Sequence, residues 1–192
     1  MKFSGKAKFK SKWGIFNFVC GVTDEGLEHS ILWIGDICSS HSPLLRIQSS
    51  CLTSTALGGV ICDCAEQLTM SFEMIADEGR GAIVYLEQEG RGHGLYQKVE
   101  TMCQMNQGMD TVDAFLTRGL EPDLRDFTDV GRILRFIEFP KKIRPITNNP
   151  AKLKHLEDDG FIIEKRVPIV VAERADIEGY MRAKKVKLGH LL

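Results

Sequence analysis

Three cysteines concentrate the chemistry of this chain. Cys51, Cys62 and Cys64 form a C-x10-C-x-C pattern. Two thiols one residue apart, and a third beyond a loop containing Gly58-Gly59, can converge on one ion. Thiolate is a soft donor that suits Zn2+. Three protein ligands leave the fourth tetrahedral position to water, which catalytic zinc requires and structural zinc does not. The spacing alone leaves a second reading open, three small buried hydrophobes, because C-x-C is less specific than paired C-x-x-C. Cys20, Cys38 and Cys103 have no such company and read as buried packing residues. A second feature is the glycine-rich loop from Gln88 to Gly94. Its glycines let backbone approach a ligand closely. No Gly-Lys-Ser/Thr follows, so it is not a P-loop.

Six ordered segments together resemble the GTP cyclohydrolase II family. They are Arg46-Ile47-Gln48-Ser49-Ser50-Cys51-Leu52-Thr53, Cys62-Asp63-Cys64-Ala65-Glu66-Gln67-Leu68, Gln88 to Leu95, Asn106 to Ala114, Asp123-Leu124-Arg125-Asp126-Phe127 and Thr147-Asn148-Asn149-Pro150-Ala151-Lys152. The likeness runs from about Arg46 to Val171, and the first forty residues add little to it. It implies a homodimeric, zinc-dependent enzyme that opens the imidazole ring of GTP, with magnesium also used. Formate and pyrophosphate leave, and a diaminopyrimidine nucleotide on the way to riboflavin remains.

The resemblance makes Cys51, Cys62 and Cys64 the zinc ligands, with zinc-activated water attacking C8 of guanine. It makes Arg46, Ile47, Gln48, Ser49, Ser50, Gln67, Glu89, Gly90, Arg91, Thr111, Thr147 and Lys152 the nucleotide-binding set. Glu89 is a carboxylate able to accept from guanine N1–H and its amino group. Arg46, Arg91 and Lys152 bring the positive charge a triphosphate needs. Asp123 and Arg125 match the family's general base and nucleophile. A guanidinium is protonated at any ordinary pH and is a poor nucleophile, so stabilising phosphoryl charge is an equally sound role.

Two positions depart from the family pattern. Met102 stands where the family has an active-site tyrosine, in the helix after the glycine loop. A thioether donates no proton, whereas a phenol does. The expectation is ring opening with the formyl group retained, unless Tyr96 or His93 takes over. Ser50 stands where the family has glutamate beside the first cysteine.

The elements that must hold these residues follow from periodicity. Phe16–Cys20, Ser30–Ile34, Leu44–Gln48 and Gly81–Leu86 are β-branched or aromatic runs and read as strands. Leu68, Phe72, Ile75 and Ala76 recur at helical spacing, with Gly79 as a C-cap. Helices are expected over 95–107 and 130–137, and through Leu153 and Leu156 to Gly160. Phe161–Ile163 and Val167–Val171 read as strands. The fold expected is α/β, one domain over 1–192, with a mixed sheet whose N-terminal strands are antiparallel. Met181 to Leu192, with Arg182, Lys184, Lys185 and Lys187, reads as a solvated tail rather than a nucleic-acid arm.

Composition sets the outer bounds. The chain has 192 residues with 25 Lys+Arg against 26 Asp+Glu, so it carries no basic footprint for unspecific nucleic-acid binding. No apolar run approaches the ~18 residues of a membrane span, and Met1 to Lys6 lacks a signal-peptide core. Six cysteines are too few for a disulfide scaffold of this size, and the expected setting is reducing and cytoplasmic.

Overall fold

The computed structural model describes residues 1–38, 42–172 and 177–191. Its elements in chain order are β1 (Lys2–Phe3), β2 (Ala7–Ser11), β3 (Gly14–Val22), β4 (Glu28–Ile34), β5 (Leu44–Ser49), α1 (Leu52–Thr55), α2 (Cys64–Glu78), β6 (Gly81–Leu86), a 3-10 turn (Glu89–Gly92), α3 (Gly94–Met105), α4 (Thr111–Leu116), α5 (Thr128–Phe136), β7 (Lys142–Pro145), α6 (Pro150–Asp158), β8 (Ile162–Ile163) and α7 (Glu178–Leu188).

The strands form one mixed sheet in the order β1-β3-β4-β6-β5-β7-β8, with β2 also on β3. The N-terminal strands pair antiparallel, and β4 pairs antiparallel with β6. From β6 onward the pairs are parallel: β6 with β5, β5 with β7, β7 with β8. The mixed α/β class read from the sequence is therefore the one found. The burial patterns explain the pairing. β4 alternates buried and partly buried residues, as a strand with one face packed does. All of β5 and nearly all of β6 are buried, because helices cover both faces of the parallel section. Val130, Ile133 and Leu134 of α5 pack with Leu45, Ile47, Val84 and Leu86. On the other face, Phe72 and Ile75 of α2 pack with Leu44, Ile83 and Ile146.

Three expectations need correction. Val167–Val171 is not a strand: Val167 makes one isolated bridge to Ile146. Pro168 has no N–H to give a ladder, and the Asn148 carboxamide replaces a neighbouring strand. Its Nδ2 donates to the Ile169 carbonyl at 2.5 Å, and its Oδ1 accepts from Ile169 N at 3.1 Å. The basic C-terminal stretch is not a solvated tail but the helix α7, of which Lys184 is buried; Leu192 lies outside the described residues. Cys38 and Cys103 are exposed and Cys20 is half-buried, so none is the buried packing residue expected.

The parallel contact between β5 and β6 depends on Gly81. Its φ is +144°, and a Cβ there would lie 2.7 Å from the Leu44 carbonyl oxygen. Gly81→Ala is expected to lower the unfolding free energy by ~1–3 kcal/mol, read from the urea midpoint at an unchanged slope.

Candidate active site

β5, β6 and β7 run parallel, so their C-terminal ends open on the same edge of the sheet, where α/β folds build their binding crevices. Past β5 come Ser50 and Cys51, past β6 the Gln88–Gly94 loop, and past β7 Thr147 and the cap of α6. Within β5 the period of two sets Arg46 and Gln48 into this crevice. Ile47 points to the opposite core layer and contributes only its carbonyl, which accepts from Lys152 Nζ at 2.8 Å. Ser50 Oγ accepts from Gln88 N at 2.9 Å, joining the two strand ends.

The thiols converge through two small ties. Cys51, two residues past β5, caps the single turn α1, whose Ser54 Oγ accepts from Ala65 N at 3.1 Å at the start of α2. That contact holds Cys51 against Cys62 and Cys64. Cys51 Sγ and Cys62 Sγ are 3.7 Å apart, and all three sulfurs lie within 4.8 Å of one another. Two thiolates on a tetrahedral zinc at ~2.3 Å stand about 3.8 Å apart, so the trio fits that ion. Hydrogen bonds from Cys62 and Cys64 hold the Cys51 thiol far below its ordinary pKa, and Lys98 adds to this. The same sharing raises Cys62 and, more strongly, Cys64. Lys98 Nζ lies 3.2 Å from Cys51 Sγ and 2.7 Å from Glu89 Oε1. Burial works against its charge, but these two partners outweigh burial and raise its pKa. Glu89 also accepts from Leu52 N at 2.6 Å and Gly90 N at 3.0 Å, so it braces the Cys51 turn.

Beside the thiols lie cations with no carboxylate on them. Arg46 donates to Gln48 Oε1, Gln67 Oε1 and the Ile146 carbonyl, all neutral. Burial lowers its pKa to about 10. Lys152 is pushed well down by burial and then by the charges of Arg46 and Arg125. Arg91 adopts φ +59°, rare for a residue with a side chain, and donates to the Pro122 carbonyl and Thr111 Oγ1. Gly92 lets this turn approach Leu124, whose carbonyl carbon would be 3.0 Å from an added Cβ. Arg125, like Lys98 on Glu89 and Lys184 on Asp63, carries a carboxylate of its own: Asp123 accepts from its Nε at 2.8 Å and Nη2 at 2.5 Å. Burial opposes the charge of both, yet the pair raises Arg125 and lowers Asp123. Ser49 Oγ is buried with no partner among the described residues. Buried cations on neutral acceptors, with an unsatisfied hydroxyl among them, describe a cradle for an anionic ligand.

Comparison with known proteins gives this cradle a family. The profile described as GTP cyclohydrolase II matches residues 2–168. The chain is 37% identical over 191 residues to a GTP cyclohydrolase-2 of Picrophilus torridus, covering 100% of this chain and 99% of that one. It is 39% identical over 193 residues to the protein of the same name from Neisseria meningitidis serogroup A, covering 100% and 97%. A Tolumonas auensis GTP cyclohydrolase-2 is 40% identical over 188 residues, covering 97% and 94%. The chain belongs to the GTP cyclohydrolase II family. The match begins at residue 2, so the N-terminal strands are part of the family pattern although the segments read from sequence start at Arg46.

Of the residues expected at the site, all line the crevice except Ile47 and Asp123, which act from behind it through Lys152 and Arg125. Met102 lines it from α3. Tyr96, one of its two proposed stand-ins, is 72% exposed, and the other, His93, binds the Glu121 carbonyl outside the crevice. Sequence reasoning missed Lys98, Asp63, Tyr180, Lys184 and His190. Asp63 carried a signal, as the residue between two candidate ligands. Lys98 lies one turn before Met102 and faces the same way. The three from the C-terminal stretch carried none, since only tertiary packing brings α7 over the thiols.

Two outcomes are expected. Cys62→Ser and Cys64→Ser should each lower the metal content of the purified protein to a small fraction of the native level, while Cys103→Ser leaves it unchanged, by atomic absorption. His190 is lowered from 6.5 to about 4 by burial, then by Lys184, Arg125 and Lys152, with Asp63 opposing. The unfolded chain therefore binds the extra proton between these values, so the stability linked to neutral His190 is present above pH 6.5 and lost as pH falls to 4. Urea unfolding of His190→Gln should show a shallower loss over that window than the native chain.

Proposed function

We propose that this chain opens the imidazole ring of GTP at C8, releases pyrophosphate, and leaves a formylamino-pyrimidine nucleotide. What supports the reaction is one juxtaposition: three thiols at metal spacing share a crevice with buried cations that have only neutral partners. GTP supplies both halves, a purine carbon to hydrolyse and a triphosphate to neutralise those cations. A zinc ion on Cys51, Cys62 and Cys64 would lower the pKa of a coordinated water towards neutrality and so supply the hydrolytic nucleophile.

The chain's own residues do the rest. Arg46 and Lys152 hold phosphate oxygens, and magnesium accompanies the triphosphate. Asp123 keeps Arg125 charged and oriented, which suits stabilising charge on the α-phosphate while a water oxygen bonds to that phosphorus, its P–O bond to the departing pyrophosphate breaks and the water's proton passes to solvent. Glu89, braced by Leu52 N and Lys98, retains lone pairs for the guanine edge. Water adds at C8 and the C8–N9 bond breaks: the water oxygen becomes the formyl oxygen, one proton goes to N9 and the other to N7, which keeps the formyl group. Removing it needs a proton for the departing amine. Met102 offers none, and neither Tyr96 nor His93 faces the crevice. The reading extends to one catalytic domain over 1–192, a homodimer and a cytoplasmic setting, where the thiols stay reduced. Among the described residues no helix is long and apolar enough to cross a membrane.

A second reading rests on Tyr180, which lines the same crevice and whose pKa burial, then Cys64 and Cys62, push well up. A phenol held protonated there supplies the missing proton, and the products become the diaminopyrimidine nucleotide and formate.

Mass spectrometry of exhaustive GTP turnover separates these. The native protein should yield the formylamino product with a loss of purine absorbance that a chelator abolishes, and Met102→Tyr should release formate. Stoichiometric formate from the native protein, lost in Tyr180→Phe, would give the second reading instead. Unchanged GTP absorbance would reject catalysis altogether.

A further inference from the structure

We propose that Lys184 of α7 is a positioning residue for the metal-binding thiols, acting through Asp63. The inference rests on the reading that Cys51, Cys62 and Cys64 hold zinc.

Asp63 stands between two of those cysteines and is 0% exposed. Both its oxygens are taken. Oδ2 accepts from Gln67 Nε2 at 2.6 Å within α2, and Oδ1 accepts from Lys184 Nζ at 2.5 Å, from 121 residues further along the chain. Lys184 is itself only 8% exposed, with the Tyr180 ring 4.6 Å from its ammonium. This is no loosely solvated lysine. α7 is docked by separate contacts at its far end, where Lys187 reaches Asp110 at 2.6 Å and Asp113 at 2.7 Å, and Leu191 N donates to the Asn148 carbonyl at 2.8 Å. Those contacts hold the far end of the helix independently, while the Lys184 ammonium meets one carboxylate oxygen by a contact of its own.

The consequence reaches the thiols through the backbone. A buried carboxylate left with one neutral amide is strongly unfavourable, so it turns towards water or draws water in. Either movement displaces the Cys62–Cys64 segment, because Asp63 is the residue joining the two. The ligand geometry of the trio thus depends on a cation supplied by the C-terminal helix. Groups that orient metal ligands in this way typically account for ~10–100-fold in metal affinity.

The test uses full-length protein and measures zinc affinity by competition with a chromophoric chelator, together with the visible spectrum of the cobalt-substituted site. Lys184→Met should bind zinc ~10–100-fold more weakly and show altered cobalt ligand-field bands. Lys184→Arg should recover part of both. The double variant Asp63→Asn/Lys184→Met should bind zinc more tightly than Lys184→Met alone, because a neutral amide needs no cation; it also serves if the single variant does not fold. Lys187→Met, at the far end of the helix, should leave zinc affinity unchanged. Native affinity and spectrum in Lys184→Met would overturn the proposal, as would losses that simply add in the double variant, or an equal loss in Lys187→Met. If the native chain itself binds no zinc, the thiol reading fails first, and that result is seen before any variant is made.

Discussion

A carboxylate without solvent, set between two thiols, is the constraint around which the site is organised. Asp63 cannot stay buried and charged unless both oxygens are met. Gln67 meets one from the same helix, and in doing so offers its own Oε1 to Arg46 on β5. Lys184 meets the other from the end of the chain. One group therefore binds the start of α2, the middle of the sheet and α7 into a single polar network. The thiols, the buried Arg46 and α7 share their geometry because they share this carboxylate.

The same edge of the sheet concentrates charge that the chain as a whole does not have. Net charge is -1, yet Arg46 and Lys152 sit buried within the crevice on neutral acceptors. The parallel arrangement of β5, β6 and β7 makes this possible, because it brings three strand ends and their following loops to one place. Desolvated cations without counter-charges are costly in the free protein. That cost is offset when an anion binds, which is why the crevice reads as a ligand site and not as a structural ion-pair cluster. Asp123 with Arg125 shows the contrast, since there the counter-charge is built in and the guanidinium is fixed in place.

Much of this is legible in the sequence. β6 spans Gly81–Leu86 as the apolar run predicted, and Gly79 closes α2 in the left-handed conformation expected of a C-cap glycine. Local propensity and backbone sterics decide such features. Val167–Val171 misled because its composition is that of a strand, while Pro168 and the Asn148 side chain divert its backbone hydrogen bonds. Met181–Leu192 misled in the opposite direction. Its lysines read as solvated, but Lys184 faces inward because a partner 121 residues away awaits it.

The division between sequence and tertiary structure follows from range. The sequence by itself determined the thiol trio, the glycine-rich loop and the order of the segments that line the crevice, because each is a matter of residue type at short spacing. It also set the α/β class, since the periods of two and 3.6 are local properties. Only the tertiary structure decided which residues lie behind the site and which lie on it. Ile47 and Asp123 moved back, and Tyr180, Lys184 and His190 came forward. The physical reason is that electrostatic partners inside a protein are chosen by distance in space, and a helix encoded at the end of the chain can satisfy a charge encoded near its first third.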